Sequence, residues 1–303
     1  MLTDQSHHIL ITGANGFIGR RLTQRLSTHP SAIVRCLVRK TATNLPAGVD
    51  QCIGDVLNFQ DVRKALEGID TAYYLVHSMG GTGNDFEEKD RIAAQNFIRA
   101  ADDAGVKRII YLGGLGKKGD HLSHHLASRL EVAEILKSGN AKTTFLRAAV
   151  IIGKGGASYE MLKSLVERLP VMITPRWVET RSQPIAVTDV ISYLVGCLSS
   201  PETAGHDYDI GGPDILTYRE MMLRFADVLG KRLFIVPVPF LTPHLSAYWV
   251  RLVTPVSYGI ASALIDGLKN EVICEDASIR TLIPIPLTNY NDALRQALAD
   301  HSI

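Results

Sequence analysis

The chain is short of every feature that would tie it to a membrane, a structural metal or a nucleic acid. No run of about eighteen apolar residues occurs in its 303 residues, so no segment reads as a bilayer-spanning helix. Cysteine is scarce: Cys36, Cys52, Cys197 and Cys274 stand far apart, with no CxxC pair and no histidine at metal-ligand spacing. That excludes a zinc cluster or a disulfide framework and reads as reduced, mostly buried thiols of a cytosolic protein. An excess of one charge is missing too. Lys plus Arg is 32 against 31 Asp plus Glu, a net +1, which leaves no general electrostatic grip on nucleic acid or anionic lipid. Only a few mostly polar residues precede His-His-Ile-Leu-Ile-Thr-Gly, leaving no room for a targeting segment, so the expected location is the cytoplasm. Repeats and low-complexity tracts are also absent. With 46% hydrophobic and 21% charged residues, what remains is a globular protein with a substantial core.

Short β-branched runs alternate with helical patterns through the first half. The pattern predicts strands at His8–Thr12, Ala32–Val38, Gln51–Gly54, Thr71–His77, Arg108–Leu112 and Thr143–Ile151. It predicts helices at Phe17–Ser27, Phe59–Leu66, Asp85–Ala104 and His124–Lys137, the long one with an apolar stripe of Phe86, Ile92, Ala93, Phe97 and Ala100. Strict alternation implies parallel pairing with right-handed crossovers. The expected fold class is therefore α/β, a doubly wound parallel sheet of Rossmann type with a smaller C-terminal substrate lobe. Residues 1–155 would form the nucleotide-binding core, and 156–303 a mixed segment that completes it and builds the lobe. The second half is less regular: a helix at Thr188–Leu198, a strand at His206–Ile210, a helix at Tyr218–Leu229 and a proline-rich connector at Pro237–Pro243. Beyond it, Leu245–Leu268 is apolar but interrupted by Arg251 and Pro255, either a hydrophobic lid over a pocket or plain core.

Ligands on doubly wound sheets sit at the carboxyl ends of the strands, which puts Gly13, Arg39, Asp55, His77 and Gly113 along one rim. The run Gly13-Ala14-Asn15-Gly16-Phe17-Ile18-Gly19 leaves a strand and opens a helix. Its glycines suit a tight turn, close backbone approach to a pyrophosphate and close helix–strand packing. The anion would sit on free N–H groups at the positive end of the helix. Where an acidic residue would bind the ribose hydroxyls of NAD, this chain has Arg39 and Lys40. NADP(H) is thereby favoured over NAD(H), one charge-assisted contact being worth about 1.5–3 kcal/mol; otherwise both are solvated surface cations. Asp55 either accepts from the adenine amino group or caps the helix beginning near Phe59. The full expected cofactor set is Gly13, Asn15, Gly16, Phe17, Ile18, Gly19, Arg39, Asp55, Val56, Val76, His77 and Gly113.

The glycine turn, Arg39, Gly54-Asp55, Leu146-Arg147-Ala148 and Ile152-Gly153 resemble the short-chain dehydrogenase/reductase superfamily. More narrowly they resemble its atypical and extended branches, among them epimerase-like proteins, nitrogen-metabolite-repression-regulator-like proteins and an accessory subunit of respiratory complex I. Gln183–Val190 and Tyr208–Gly212 match later elements of the same branches, so the likeness runs from Ile9 to Leu229. The resemblance implies a Ser at the end of the fifth strand and a Tyr-x-x-x-Lys pair on the next helix, where Tyr moves a proton and Lys holds the nicotinamide ribose. This chain departs at all three positions. Gly113-Gly114 ends the strand, and His125 and Arg129 take the Tyr and Lys places at i, i+4 spacing. His125 is the candidate general acid, or else a helix-surface residue beside His121 and His124. Arg129 can bind ribose but cannot shuttle a proton. A literal Tyr159-x-x-x-Lys163 follows the sixth strand, not the fifth, and reads as an accident. Arg147, a charge within an apolar strand, reads as a strut on a buried carboxylate.

The reading that follows is an NAD(P)H-dependent oxidoreductase acting on a small apolar carbonyl or quinone. The alternative is a non-catalytic NADP(H)-binding sensor or complex-stabilising protein, which would have a protein partner. A sugar-nucleotide epimerase ranks third, since its proton chemistry leans hardest on the missing Tyr. The expected partner is a small-molecule substrate, with no nucleic acid, no membrane span and no metal.

Overall fold

The computed structural model describes residues 7–77, 85–116, 124–174, 176–237 and 271–300. Thirteen strands are named in chain order among these. The six of the first half are β1 (His7–Thr12), β2 (Ala32–Val38), β3 (Asp50–Ile53), β4 (Thr71–Tyr74), β5 (Arg108–Gly114) and β6 (Lys142–Ala148). The shorter later ones are β7 (Ile151–Ile152), β8 (Val171–Thr174), β9 (Arg181–Ser182), β10 (Ile185–Ala186), β11 (Asp207–Ile210), β12 (Leu216–Thr217) and β13 (Phe234–Pro237). Seven form one sheet in the order β11-β6-β5-β4-β1-β2-β3, every pair parallel. In β1 the consecutive Ile9, Leu10 and Ile11 are all fully buried, as a strand covered on both faces requires.

Helices α1 (Phe17–Ser27), α2 (Phe59–Leu66), α3 (Asp85–Ala104) and α4 (His124–Lys137) have the bounds the sequence pattern predicts. Leu22 and Leu26 of α1 cover one face together with Val190 and Leu194 of α6 (Val187–Ser199). Val62, Phe97 and Val132 of α2, α3 and α4 cover the other. The fold is the doubly wound α/β sheet expected, and its strand order reverses at β1, between β4 and β2. A crevice therefore opens over the carboxyl ends of β1 and β4.

Three local readings need correction. The predicted strand Thr143–Ile151 is two: β6 stays in the main sheet to Ala148, while β7 leaves it to pair with β10. β4 ends at Tyr74, short of His77, because the Thr12 hydroxyl donates to the Tyr73 carbonyl and accepts from the Leu75 N–H, both at 3.1 Å. Ile92 is exposed, since the buried face of α3 is centred on Ala94, Phe97 and Ala101, one residue further round the helix. The Phe86 side chain lies outside the described residues, as do residues 238–270, which include the connector beyond Pro237 and the apolar run.

A second core brings together α5 (Ala157–Arg168), α7 (Tyr218–Val228), the helix Tyr290–Ala299, and Met172 of β8. β8 pairs with β13, and β9 with β12. Helix α7 begins in a capping box: the Thr217 hydroxyl accepts from the Glu220 N–H at 3.1 Å, and the Glu220 carboxylate accepts from the Thr217 N–H at 2.7 Å. Thr217→Ala should destabilise the protein by about 1 kcal/mol, read as a lower urea midpoint with an unchanged m-value. The Arg147 strut is present, its Nε 2.8 Å from Oδ1 of buried Asp209. The other Asp209 oxygen accepts from the Glu275 and Asp276 N–H groups, pinning the returning chain to the sheet edge. Among the described residues, no helix is long and apolar enough to cross a membrane.

Candidate nucleotide-binding site

The turn from β1 into α1 is built around glycine where the sequence predicts. Gly13 has φ +68°, and a Cβ there would lie 2.7 Å from the Leu75 carbonyl oxygen. A Cβ on Gly19 would run into the Gly13 carbonyl, so the helix can begin this close to its strand only with glycine there. Gly16 is different. It N-caps α1 without any side-chain hydrogen bond, and the first turn carries no acidic residue. A Cβ there meets a single atom, the Gly13 carbonyl oxygen, at a tight 3.1 Å, and Gly16 itself is exposed. The first N–H groups of α1 thus point outward at the positive end of the helix, the chemistry a pyrophosphate needs.

Beside this turn lies a cavity of about 480 Å³. It brings together Gly13, Gly16, Phe17, Ile18 and Gly19 from the turn with His77, Gly113 and Arg129. Asn15, Arg39, Asp55, Val56 and Val76 do not line it. Asn15 is exposed on the turn, and Arg39 and Lys40 are exposed just past β2. Val56 and Val76 are half-buried against the core of α2 and α3. The Asp55 carboxylate accepts from the Leu57 N–H at 2.9 Å, holding the loop after β3. It does not cap α2: Asn58 does, accepting from the Gln60 N–H at 2.9 Å.

The end of β5 explains why no serine stands there. A Cβ on Gly113 would lie 2.6 Å from the Phe145 ring, and one on Gly114 2.6 Å from a Leu126 methyl. Neighbouring side chains fill the space a hydroxyl would use. On α4, Arg129 is 9% exposed, and its Nε is buried with no hydrogen-bond partner. Its carbonyl accepts from the Tyr111 hydroxyl at 3.2 Å. Burial pushes the Tyr111 phenol up and the Arg129 charge opposes that. His125 lies one turn earlier on the same helix, and its side chain lies outside the described residues.

Neither residue of the Tyr159-x-x-x-Lys163 string lines the cavity. Tyr159 is buried, stacked on Phe225 and pushed by that burial up to about 12, and Lys163 stands 4.0 Å from Glu167. Burial likewise pushes Cys36, Cys197 and Cys274 up to about 11, so none is a reactive thiol at neutral pH.

The far wall of the cavity is what sequence reasoning missed. It comes from Ala148–Ile151 at the β6–β7 break, Gly155–Ser158 at the start of α5, Met161 and Leu162 within α5, and Tyr218 of α7. A signal was available: Gly153, Gly155 and Gly156 form a second glycine run between strand and helix. Val187 packs where a Cβ on Gly153 would lie, and the Phe17 ring where one on Gly156 would.

The NAD(P)H-binding family model matches residues 13–174 of this chain. A UDP-glucose 4-epimerase from Vibrio cholerae is 22% identical over 76% of this chain and 78% of its own length. Among solved structures, the Citrobacter sp. triphenylmethane reductase complexed with NADP(H) superposes with a TM-score of 0.76 at 22% identity, covering 96% of this chain and 99% of that one. An NADPH-dependent quinone oxidoreductase from Escherichia coli superposes with a TM-score of 0.74 at 21% identity, with the same coverage.

Proposed function

Because this chain belongs to the NAD(P)H-binding family, as an atypical member of the short-chain dehydrogenase/reductase superfamily, we propose that it is an NADPH-dependent reductase of a small apolar carbonyl or quinone. The observation that carries the reading is the continuity of one cavity, from the uncapped glycine turn of α1 to Arg129 on α4, with largely apolar walls beyond. In this reading the turn holds the pyrophosphate, and the adenosine half extends over β2 and β3 toward Arg39 and Asp55. The nicotinamide half extends over β4 and β5 past Val76, His77 and Gly113. The bound cofactor supplies the hydride. Arg129 offers N–H donors to the ribose hydroxyls, and His125 is the candidate donor of the proton that completes the reduction. The Citrobacter sp. reductase was solved with NADP(H) bound and the Escherichia coli quinone oxidoreductase is NADPH-dependent, and the two exposed cations after β2 suit a 2′-phosphate. Neither Arg39 nor Lys40 pairs with a carboxylate among the described residues.

Arg39→Asp should weaken NADPH about tenfold or more, the value of one charge-assisted contact, and spare or improve NADH. Calorimetry on both cofactors checks it; an equal loss for both means Arg39 does not meet the 2′-phosphate. Consumption of NADPH in the presence of carbonyls and quinones tests the activity itself. The second reading, an NADP(H) sensor without turnover, draws on Gly113 and Gly114, where glycine stands in place of the usual hydroxyl and a Cβ would crowd Phe145 and Leu126.

A further inference from the structure

Of the side chains lining the cavity among the described residues, Arg129 is the one permanently charged, and none is acidic. The walls around it are apolar, with Leu112, Leu115, Leu126, Val150, Met161 and Leu162. Its Nε is buried and makes no hydrogen bond. Asp90 on α3 is buried and is felt electrostatically by the same Tyr111 phenol, but no described carboxylate forms an ion pair with Arg129. The described polar neighbour of Arg129 is the neutral Tyr111 phenol; a buried cation that no described carboxylate meets is costly to keep, and an anion placed against it recovers part of that cost. Ribose hydroxyls are neutral and cannot. The guanidinium has five N–H donors, more than two hydroxyls need.

We propose that Arg129 is the oxyanion-holding group of this cavity, and that the acceptor is a conjugated carbonyl, a quinone or an enone, whose oxygen is drawn to the guanidinium. This rests on the reductase reading and narrows its substrate class. In the reduction the acceptor gains a hydride at carbon, two electrons with their hydrogen, from the reduced nicotinamide, which leaves oxidised. The π pair of the acceptor shifts onto its carbonyl oxygen, and that oxyanion meets Arg129 before collecting one proton, from His125 in the reductase reading or from water. Arg129 stays charged throughout, so it stabilises the anion without protonating it. That suits a product oxygen of phenol-like acidity, near pKa 10, and not an alkoxide, roughly five units more basic by comparison with water. Phe145 and Leu126 pack against Gly113 and Gly114, so the strand end itself carries no hydroxyl donor, and Arg129 is the one permanently charged donor among the described lining residues.

The test uses 4-nitrophenol as a mimic of the product oxygen, because its absorbance reports its own ionisation. It is titrated into the wild-type protein with and without saturating NADP⁺, and into Arg129→Met and Arg129→Lys. Wild type should bind the phenolate about ten- to a hundredfold more tightly than the phenol, so the bound probe ionises at lower pH than the free one. Arg129→Met should lose this preference and Arg129→Lys keep part of it, with kcat for a quinone falling in the same order. A bound probe that ionises like the free one in wild type, or an equal shift in Arg129→Met, overturns the inference. Quinone turnover without the phenolate preference sinks the oxyanion role alone. The preference without any turnover leaves the anion site standing and sinks the reductase.

Discussion

His125→Ala is expected to lower NADPH-dependent turnover by about 10²–10⁴-fold, the usual contribution of a positioned general acid, while NADPH affinity changes little. The position lies one helical turn before Arg129, at the i, i+4 spacing that keeps two residues on one face. An imidazolium donates and an imidazole does not, so the wild-type rate should fall as pH rises through the imidazolium titration. The alanine variant should lack that limb. Arg129→Ala should behave differently: it should lower kcat and weaken the cofactor through its ribose, yet leave the limb in place. Steady-state rates across pH for the three proteins check this, and wild-type turnover in His125→Ala would remove His125 from the chemistry.

Gly16→Val should weaken NADPH about a hundredfold or more with the fold kept. At least two charge-assisted contacts to the pyrophosphate are at stake there, each worth about 1.5–3 kcal/mol. Within the protein a Cβ there meets one backbone atom, the Gly13 carbonyl oxygen, at a tight 3.1 Å, and Gly16 has no left-handed φ to lose. The obstruction therefore falls on the ligand, unlike at Gly19, where a Cβ would collide with backbone. Cofactor titration followed by thermal unfolding separates the two effects. Unchanged affinity would mean the pyrophosphate lies elsewhere.

The Rossmann half was legible because its determinants are local. Each strand–helix unit carries its own periodicity and punctuation, so four helices could be bounded from pattern alone. The near half of the cavity was legible for the same reason, since Gly13 to Gly19 is one contiguous turn. The rest depends on contacts between distant segments. That β4 stops at Tyr74 is decided by the Thr12 hydroxyl, sixty-three positions before Leu75. That a side chain at Gly113 would crowd the sheet is decided by Phe145 on the next strand. The far wall joins the end of β6, the start of α5 and Tyr218, which no window along the chain contains. Helix capping was mixed: Asn58 and Asp55 are both good capping residues three positions apart, and only the backbone geometry chooses between them.

The measurement that bears most directly on the account is the absorbance of NADPH during incubation of the wild-type protein with a panel of quinones, enones and simple carbonyls. NADPH consumption should be matched one for one by acceptor reduction, fastest with the conjugated acceptors. Tight NADPH binding with no acceptor reduced anywhere in the panel would contradict it and leave a cofactor-binding protein without turnover.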